Sequence, residues 1–551
     1  MTDTEISKQS GDYDSARDVE ALTDDELSPQ LSQREQVLDR VRSDRYIAKE
    51  TVGANGLDHL DPSGKSLPPF GGGRPYPPML PAREQYIVEY TGPDDPYHPL
   101  NWSALKKIKI MSILGFATMG VTWGSSIFAS ATEEIADRFD ISLVVAIVGM
   151  SLYVFGFAAG PLCWAPLSEM YGRRLPVLIG IFGFAVFNLS VARAYDLQTI
   201  MICRFFAGFF GASCLAVVPA TFNDIFTNEW RGTALVCFAT AVFCGPLVAP
   251  IIGGFIVYSY LGWRWTEYIT MIWGFFAFTL VLFFVDETYA PVVLVRKAAR
   301  LRRETGNWGI HARQEQTELD FKGLLERNFS RPVKMLFTEP IMFLVTLYSA
   351  FIYGMLYLLL EAYPIIFVEG YGMSPSIGEL PYFGMIVGEL LGCAIVFVFE
   401  PMTVRAMKAN NSKPVPELRL LPTIIGGIFF PIGMFWLTWT GAYPQHVHWI
   451  VPTVAGIFVG SGIILIFLSL ITYLIEAYMM FAASAMAANT FLRSGFGAGF
   501  PLFADAMFHN LGIQWAGTLL GCLGLMLIPV PVMFFIYGKR LRTLSKYAPD
   551  M

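Results

Sequence analysis

Residues 450–475 read IVPTVAGIFVGSGIILIFLSLITYLI, a stretch without a charged side chain. A helix of about 20 apolar residues can cross the hydrocarbon core of a bilayer, which is roughly 30 Å thick. Eleven other long apolar runs occur, and all twelve are numbered here in chain order. They cover roughly residues 110–131, 142–163, 175–193, 199–221, 234–257 and 266–285, then 341–367, 380–399, 421–440, 450–475, 478–503 and 515–537.

The composition agrees with a membrane protein. Of the 551 residues, 54% are hydrophobic and 15% are charged, whereas about a quarter are charged in a soluble protein. We therefore predict an all-α membrane protein with two bundles of six helices, at residues 101–285 and 336–551, the second ending in a short cytosolic tail. Residues 286–335 are expected to form a cytosolic central loop. The polar, acidic residues 1–100 are expected to be a disordered cytosolic tail.

Basic residues are concentrated in alternate loops. Arg173 and Arg174 follow run 2, Arg231 follows run 4, and about ten lysines and arginines occupy the central stretch. Because cytosolic loops of membrane proteins carry an excess of lysine and arginine, these loops are assigned to the cytosol. An even number of spans then places both termini there, in a multi-pass protein of the cell membrane.

Seven cysteines all lie inside apolar runs, with neither a CxxC spacing nor a neighbouring histidine cluster. A zinc site or a redox centre is therefore not expected. The chain is interpreted as a non-enzyme without cofactor or metal. As a membrane protein it is expected to have lipid as a partner, and not nucleic acid.

The loop after run 2 reads APLSEMYGRR, residues 165–174. An acid at this mouth could pair with a helix N-terminus or a basic group in one conformation and release it in another. Glu169, Gly172, Arg173 and Arg174 are therefore candidates for a conformational switch. The alternative is an ordinary basic loop that only sets the orientation.

Small residues form ridges on four runs. In run 5, Gly245, Ala249 and Gly253 share one helix face within a segment that also holds Pro246, Pro250 and Gly254. Such ridges let helix backbones approach closely in lipid. We expect run 5 to pair with run 8, which carries Gly384, Gly388 and Gly392. Similarly, the glycines at 156 and 160 of run 2 would face those at 495 and 499 of run 11.

Arg204 lies inside run 4. An arginine within a span costs at least several kcal/mol unless it faces water or a partner. It is either a functional residue of a water-filled cavity or a side chain that extends to the outer interface.

Together these segments resemble the major facilitator superfamily and, more narrowly, the fungal twelve-span drug:proton antiporters of the polyamine-transporter and fluconazole-resistance group. The resemblance runs from about residue 88 to the C-terminus. It rests on residues 92–102 before run 1, 166–174, 204–211, 245–254, 286–291, 336–340, 353–357, 492–494 and 500–503. Three positions depart from the family pattern: Ala165, Glu169 and Ala249.

The resemblance implies the major facilitator fold, two six-helix bundles with pseudo-two-fold symmetry around a cavity lined mainly by runs 1, 4, 7 and 10. Arg204, Tyr353, Tyr357 and Glu361 become candidates for the substrate cavity, since aromatic faces and a carboxylate suit a cationic molecule. The proton-coupling candidates are the acids on runs 7, 8 and 10: Glu361, Glu389 and Glu476. Arg493 in run 11 is expected to pair with an acid.

The function that follows is a proton-coupled exporter, an antiporter that moves small amphiphilic or cationic compounds such as drugs or polyamines by alternating access. Its expected partners are therefore a small-molecule substrate and protons, and it is expected to be a monomer. The alternative within transporters is a dedicated exporter of an organic acid or fungal secondary metabolite, in which Arg204 and Arg493 would bind an anion. A non-transporting sensor has less reason to hold charges inside its spans. An ATP-driven pump is rejected because His59 stands where a phosphate-binding loop ending at 64–66 requires glycine.

The predicted orientation can be tested by placing one epitope tag at the N-terminus and another beside Arg303. In intact cells both tags should be protected from external protease and antibody, and both should become accessible after permeabilisation. Access from outside to either tag would contradict twelve spans with both termini in the cytosol.

Overall fold

The computed structural model describes residues 86–92, 94–316, 321–410, 415–478, 481–543, 545 and 547. The predicted tail up to residue 85 lies outside these ranges. Within them, twelve long helices match the twelve runs and are called spans 1 to 12. Spans 1 to 6 are Ala104–Ser126, Leu143–Tyr171, Arg174–Ala192, Leu197–Ile225, Asn228–Val257 and Arg264–Phe284. Spans 7 to 12 are Pro340–Pro364, Tyr382–Ala409, Leu420–Gly441, Ile450–Ala477, Ala482–Leu511 and Ile513–Leu527, with Pro529–Thr543 continuing the last.

Shorter helices connect the spans. The α-helices are Thr132–Phe139, Ala290–Thr305, Arg313–Gln316, Phe321–Thr338 and Pro375–Gly378, the 3₁₀ turns are Pro99–Asn101, Ala129–Ala131 and Pro416–Arg419, and a π-helix covers Ile365–Gly370. The only β-pairing among the described residues is a single bridge between Ile87 and His311. The all-α prediction is confirmed.

Eleven helices of the described chain are long and apolar enough to cross a membrane, and span 11 is not among them. Span 11 is 30 residues long but carries polar side chains, including the buried Asn489, Arg493 and Ser494. Span 11 packs against spans 2 and 7, so these polar side chains are shielded from lipid by the neighbouring helices. Polar residues inside spans generally face the interior of a helix bundle, and we interpret Ala482–Leu511 as the remaining span.

The helix contacts repeat between the two halves. Span 4 packs on spans 2 and 3, span 1 on span 5, and span 3 on span 6. The same pairs recur six spans later, since span 10 packs on spans 8 and 9, span 7 on span 11, and span 9 on span 12. The halves meet where span 5 contacts span 8 and where span 11 contacts span 2, which are also equivalent pairs. This pattern is the pseudo-two-fold symmetry expected of the fold.

Among the described residues, 86–92 and 94–95 form a small compact unit with residues 293–316. Val88 is fully buried beside Ala298 and Leu301, and its backbone N–H donates to the carbonyl of His311 at 2.9 Å. Burial lowers the pKa of Lys297, and the neighbouring Asp95 carboxylate opposes that shift. The end of the expected tail therefore has packed structure, because Val88 is part of a small apolar core with residues of the central stretch.

The glycine ridge of run 8 packs on span 10, which corrects the pairing expected from the sequence. A Cβ on Gly384 would overlap the carbonyl oxygen of Thr453, and one on Gly388 would overlap that of Ile457. The equivalent ridge of run 2 packs on span 4, where a Cβ on Gly156 would lie 2.5 Å from the carbonyl oxygen of Phe205. Each ridge therefore joins helices of the same half.

The ridge of run 5 also faces its own half. A Cβ on Gly245 would lie 2.9 Å from the carbonyl oxygen of Met119 in span 1, and Ala249 is buried with Trp123 of that span. A Cβ on Gly495 would meet nothing within 4 Å. Small-residue spacing thus correctly indicated close backbone approach for run 5, but it does not specify which neighbour approaches.

Gly388→Ala should lower the stability of the protein by about 1–3 kcal/mol, because the added methyl group meets backbone that cannot move aside. The matched control is Gly495→Ala, which adds the same group to a face with open space. Thermal denaturation of the purified variants, monitored by fluorescence-detected size-exclusion chromatography, should show a lower Tm for Gly388→Ala and an unchanged Tm for Gly495→Ala. Equal Tm values would mean that the backbones of spans 8 and 10 are not in close contact.

Candidate functional site

An acidic cavity lies at one end of the bundle, where spans 5 and 7 finish and spans 2 and 8 begin. We call it the outer cavity and this end the outer end, following the orientation predicted from the basic loops. Its carboxylates are Glu133, Glu361, Glu369, Glu379 and Asp505, and no lining residue is basic. A cavity of about 60 Å³ has room for about four water molecules. The described state is therefore occluded to anything of drug size.

Two of these carboxyl groups have oxygens without a hydrogen-bond partner in the described part of the chain. They are Oε1 of Glu361 and Oε2 of Glu379, and both oxygens are buried. A buried carboxylate needs donors or a cation, whereas a protonated carboxyl can remain neutral. The pair can therefore hold protons or bind a cation that enters the cavity.

Aromatic side chains fill the centre of the bundle. Tyr353 and Tyr357 of span 7 are buried, and their hydroxyls lie 3.4 Å apart. The Tyr357 hydroxyl also lies 2.8 Å from the hydroxyl of Ser125 in span 1. Phe243 of span 5 packs edge-on against Phe467 of span 10, with ring centroids 4.5 Å apart. Side chains of both halves thus close the centre below the outer cavity.

Arg204 is fully buried inside the N-terminal half and has polar partners on three other spans. Its Nη1 donates to the carbonyl of Gly124 at 2.8 Å and lies 3.4 Å from Oε1 of Glu267. Its Nε donates to the carbonyl of Gly149 at 3.3 Å, and its guanidinium lies over the ring of Tyr153. The side chain neither reaches the interface nor faces the outer cavity, so its contacts favour a structural role.

Arg493 is buried in a different way. Its guanidinium lies 5.1 Å from the ring centroid of Tyr353 and 5.0 Å from that of Phe467. Within the described ranges it forms neither a hydrogen bond nor an ion pair, and its Nε is buried without a partner. The expectation that Arg493 pairs with an acid is wrong for this state. Each ring contributes about 0.5–2 kcal/mol, which is less than the several kcal/mol that burial of a charge costs.

Glu389 lies at the contact between spans 5 and 8. It is 1% exposed, and the Cys244 thiol donates to its Oε2 at 3.4 Å. One turn further along, the Thr240 hydroxyl and the Cys393 thiol lie 3.1 Å apart. The interface expected from the glycine ridges exists, but polar side chains form it, and it contains a buried acid.

At the opposite, inner end, the loop after span 2 is held by two acids. Arg173 Nε donates to Asp224 Oδ2 at 2.9 Å, and the backbone N–H groups of Arg173 and Arg174 donate to Glu287 at 2.7 and 3.3 Å. Gly172 adopts a φ of +91°, and a Cβ there would overlap the Glu287 carboxylate. The motif is therefore a compact clamp on the ends of spans 4 and 6. The switching role of Glu169, on the last turn of span 2, stays a prediction.

The C-terminal half has an equivalent clamp. Arg419 Nε donates to Glu476 at 2.8 Å, and its Nη1 donates to Glu400 at 2.5 Å. Glu476 is the penultimate residue of span 10, as Asp224 is of span 4. The three proton-coupling candidates are therefore far apart along the spans: Glu361 at the outer cavity, Glu389 between spans 5 and 8, and Glu476 in an ion pair at the inner end.

The sequence interpretation missed seven acids that the structure places in these sites: Glu133, Asp224, Glu267, Glu369, Glu379, Glu400 and Asp505. Asp224 could have been found by aligning the ends of runs 4 and 10, because Glu476 occupies the equivalent position. Glu267 opens run 6 and Glu379 precedes run 8, where an acid reads as an ordinary boundary residue. Nothing in the local pattern indicates that either side chain turns inward.

Comparison with known families gives an independent result. A family model described as the Major Facilitator Superfamily matches residues 114–501. The xylose transporter XylE from E. coli, in a partially occluded inward-open conformation, has a similar fold with a TM-score of 0.53 and 16% sequence identity. That match covers 79% of this chain and 98% of XylE, and at this identity it supports the fold alone.

Several fungal proteins are similar over most of their length. The Major facilitator superfamily multidrug transporter FLU1 of Candida albicans is 49% identical over 538 residues, which are 98% of this chain and 87% of FLU1. The Multidrug transporter TPO1_2 of Candida glabrata is 50% identical, covering 95% of this chain and 90% of its own. An uncharacterized transporter of Schizosaccharomyces pombe, C36.03c, is 51% identical over 86% of this chain and 87% of its own.

The structural role of Arg204 can be tested by a double-mutant cycle. Arg204→Leu should cost about 3–5 kcal/mol of stability, because Glu267 is left buried without its cation. Adding Glu267→Leu should recover part of that loss, so that the double variant has a higher Tm than the Arg204 variant. Strictly additive losses in thermal denaturation would show that the two side chains are not coupled.

Proposed function

We propose that this chain, which belongs to the Major Facilitator Superfamily, exports small amphiphilic or cationic molecules in exchange for protons by alternating access. Two relatives that are about half identical to it over most of its length are named multidrug transporters. Drugs and polyamines are the compounds to which the proposal applies. The single observation that carries the coupling and the charge preference is the outer cavity.

The outer cavity suits a cation and a proton in turn. Its lining contains five carboxyl groups and no basic residue, so the local field attracts positive charge. Glu361 and Glu379 have buried oxygens that only a proton, a cation or water can satisfy in the occluded state. A cationic substrate that leaves through this cavity and a proton that enters it would occupy the same carboxyl groups, and such competition is how one site couples two flows.

The contacts between the halves support alternation. At the outer end the Ser376 hydroxyl donates to the carbonyl of Gly254 at 3.1 Å, and at the inner end Lys408 pairs with Glu229 at 2.7 Å. The Lys408–Glu229 pair is exposed, so it can break at low cost. The Ser376 contact is partly buried but consists of a single hydrogen bond, whose net contribution is about 0.5–1.5 kcal/mol. The ridges inside each half bury backbone against backbone, and those contacts would persist as the halves rock.

The topology belongs to the same proposal. The alternate basic loops support an orientation in which the inner end and both termini lie in the cytosol. The proposal also places the protein in the plasma membrane as a monomer surrounded by lipid. Residues 101–285 and 336–551 would act as the two moving bundles, and the segment 286–335 would connect them on the cytosolic side. Export then means movement from the inner end to the outer cavity.

A second candidate function is export of an organic acid or fungal secondary metabolite. Arg493 favours it, because this buried guanidinium has aromatic neighbours but no acid within reach among the described residues. The two candidates differ in the charge of the molecule carried, not in the mechanism.

Glu361→Gln should abolish uphill export or weaken it at least tenfold, because glutamine keeps the size and hydrogen bonding of glutamate but cannot exchange a proton. The assay is export of a cationic dye from proteoliposomes with an imposed pH gradient, with downhill exchange measured in parallel. Downhill exchange should survive the substitution. The matched control is Asp137→Asn, which neutralises an exposed acid near the same end and should leave uphill export unchanged.

Wild-type uphill export by the Glu361 variant would rule out this carboxyl as the coupling site and would transfer the assignment to Glu389, which Glu389→Gln then tests in the same assay. Loss of cationic substrates alone, with neutral substrates still driven uphill, would mean that Glu361 binds the substrate and does not couple protons.

A further inference from the structure

The two buried arginines of the spans are satisfied to very different degrees. Arg204 is fully buried, and its donors reach backbone carbonyls on spans 1 and 2 and the carboxylate of Glu267. Arg493 is 6% exposed, and its guanidinium contacts only the faces of two aromatic rings in the described structure. The protein therefore supplies hydrogen-bond acceptors to Arg204, whereas the N–H donors of Arg493 have no acceptor among the described residues.

The Arg493 guanidinium lies close to the place where the two halves meet. Arg493 is on span 11, and the rings beside it are Tyr353 of span 7 and Phe467 of span 10. Phe243 of span 5, in the other half, packs edge-on against both rings, with centroid distances of 6.3 and 4.5 Å. Movement of span 5 away from this group would open a space bounded by two aromatic faces and a cation.

Neighbouring polar atoms on span 11 are also unsatisfied. Asn489 lies one turn before Arg493 on the same helix face, and its Nδ2 donates to Ser349 Oγ at 2.6 Å. The Asn489 Oδ1 and Ser494 Oγ atoms are buried without partners in the ranges described. Span 11 thus carries an unpaired acceptor, the Asn489 amide oxygen, and an unpaired hydroxyl, that of Ser494, close in sequence to Arg493.

We propose that Arg493 binds the carboxylate of the transported molecule, whose aromatic or apolar body lies against the rings of Tyr353 and Phe467, where Phe243 packs in the described state. A carboxylate matches the planar fork of a guanidinium and accepts two parallel charge-assisted hydrogen bonds from it. The substrates of this chain accordingly include carboxylate-bearing aromatic amphiphiles, either anionic or zwitterionic. The inference rests on the proposed export function and specifies the substrate class at its central site.

The principal rival is that Arg493 receives a carboxylate of the protein in another conformation. The candidate acids are Glu361 on span 7, which packs against span 11, and Glu389 on span 8, which would have to approach it. In that case Arg493 would serve the conformational cycle, and its loss would impair every substrate to the same degree. A substrate site instead affects only molecules that carry the complementary charge.

The test uses three probes of similar size and shape: an aromatic carboxylate such as a naphthoate, its primary amide, and the corresponding aromatic ammonium ion. Uphill export of each is measured in proteoliposomes for the wild-type chain, Arg493→Gln and Arg493→Lys, with Arg303→Gln as a control on an exposed arginine. Arg493→Gln should reduce carboxylate export by about 10- to 100-fold, the range expected for losing a charge-assisted pair. Export of the amide and the ammonium ion should change by less than about twofold.

Arg493→Lys should give an intermediate loss for the carboxylate alone, because lysine keeps the charge but lacks the fork. This variant also guards against failure of the glutamine variant to fold. Binding is measured separately, as the rise in Tm that the naphthoate causes in detergent. The rise should occur with the wild type and the Arg303 control and be lost in Arg493→Gln, and transport need not be active for that measurement.

Equal loss of all three probes in Arg493→Gln would overturn the proposal and support the rival. So would a wild-type chain that exports the ammonium ion but neither exports nor is stabilised by the carboxylate, and that result would leave the proposed function intact. Absence of uphill export for every probe, with carboxylate stabilisation that depends on Arg493, would reject the proposed function while retaining this binding site.

Discussion

A charged side chain inside a membrane bundle must find its partners within the protein, because hydrocarbon offers none. The charged side chains of this protein differ in how many partners they find. Arg204 and Glu267 neutralise each other deep in the N-terminal half. At the inner end, Arg173 and Arg419 each hold an acid at the end of a span. Arg493 has neither a hydrogen bond nor an ion pair within the described structure, and its proposed partner is a carboxylate of the transported molecule.

Pseudo-two-fold symmetry organises both the packing and the charges. Equivalent helix pairs pack in the two halves. The penultimate residues of spans 4 and 10, Asp224 and Glu476, each accept a hydrogen bond from an arginine just before the preceding span, Arg173 and Arg419 respectively. Glycine ridges join helices inside a half, where backbone meets backbone. Between the halves the contacts are made by side-chain groups, such as the hydroxyls of Ser125 and Tyr357. Each half is therefore built to stay rigid while the contact between them changes.

Opposite charges are separated along the direction of transport. The outer cavity collects carboxyl groups, with buried oxygens of Glu361 and Glu379 left unpaired, and Arg493 lies among aromatic rings nearer the centre. An amphiphile that carries charge would meet a cation first and acids later on its way out. Because protons bind to the acids but not to an arginine, proton coupling is proposed for the outer cavity and substrate recognition for the region of Arg493.

The sequence by itself determined the all-α class, the twelve apolar runs, the division into two halves and the residues of the loop after span 2, since these depend on local composition and spacing. Only the tertiary structure decided which neighbour each small-residue ridge faces and where the inward acids find partners. Gly388 has the same spacing whether it meets span 5 or span 10, and Glu267 looks like a boundary residue until Arg204 is placed beside it. Periodicity defines a helix face, whereas the partner of that face depends on how distant segments of the chain pack together.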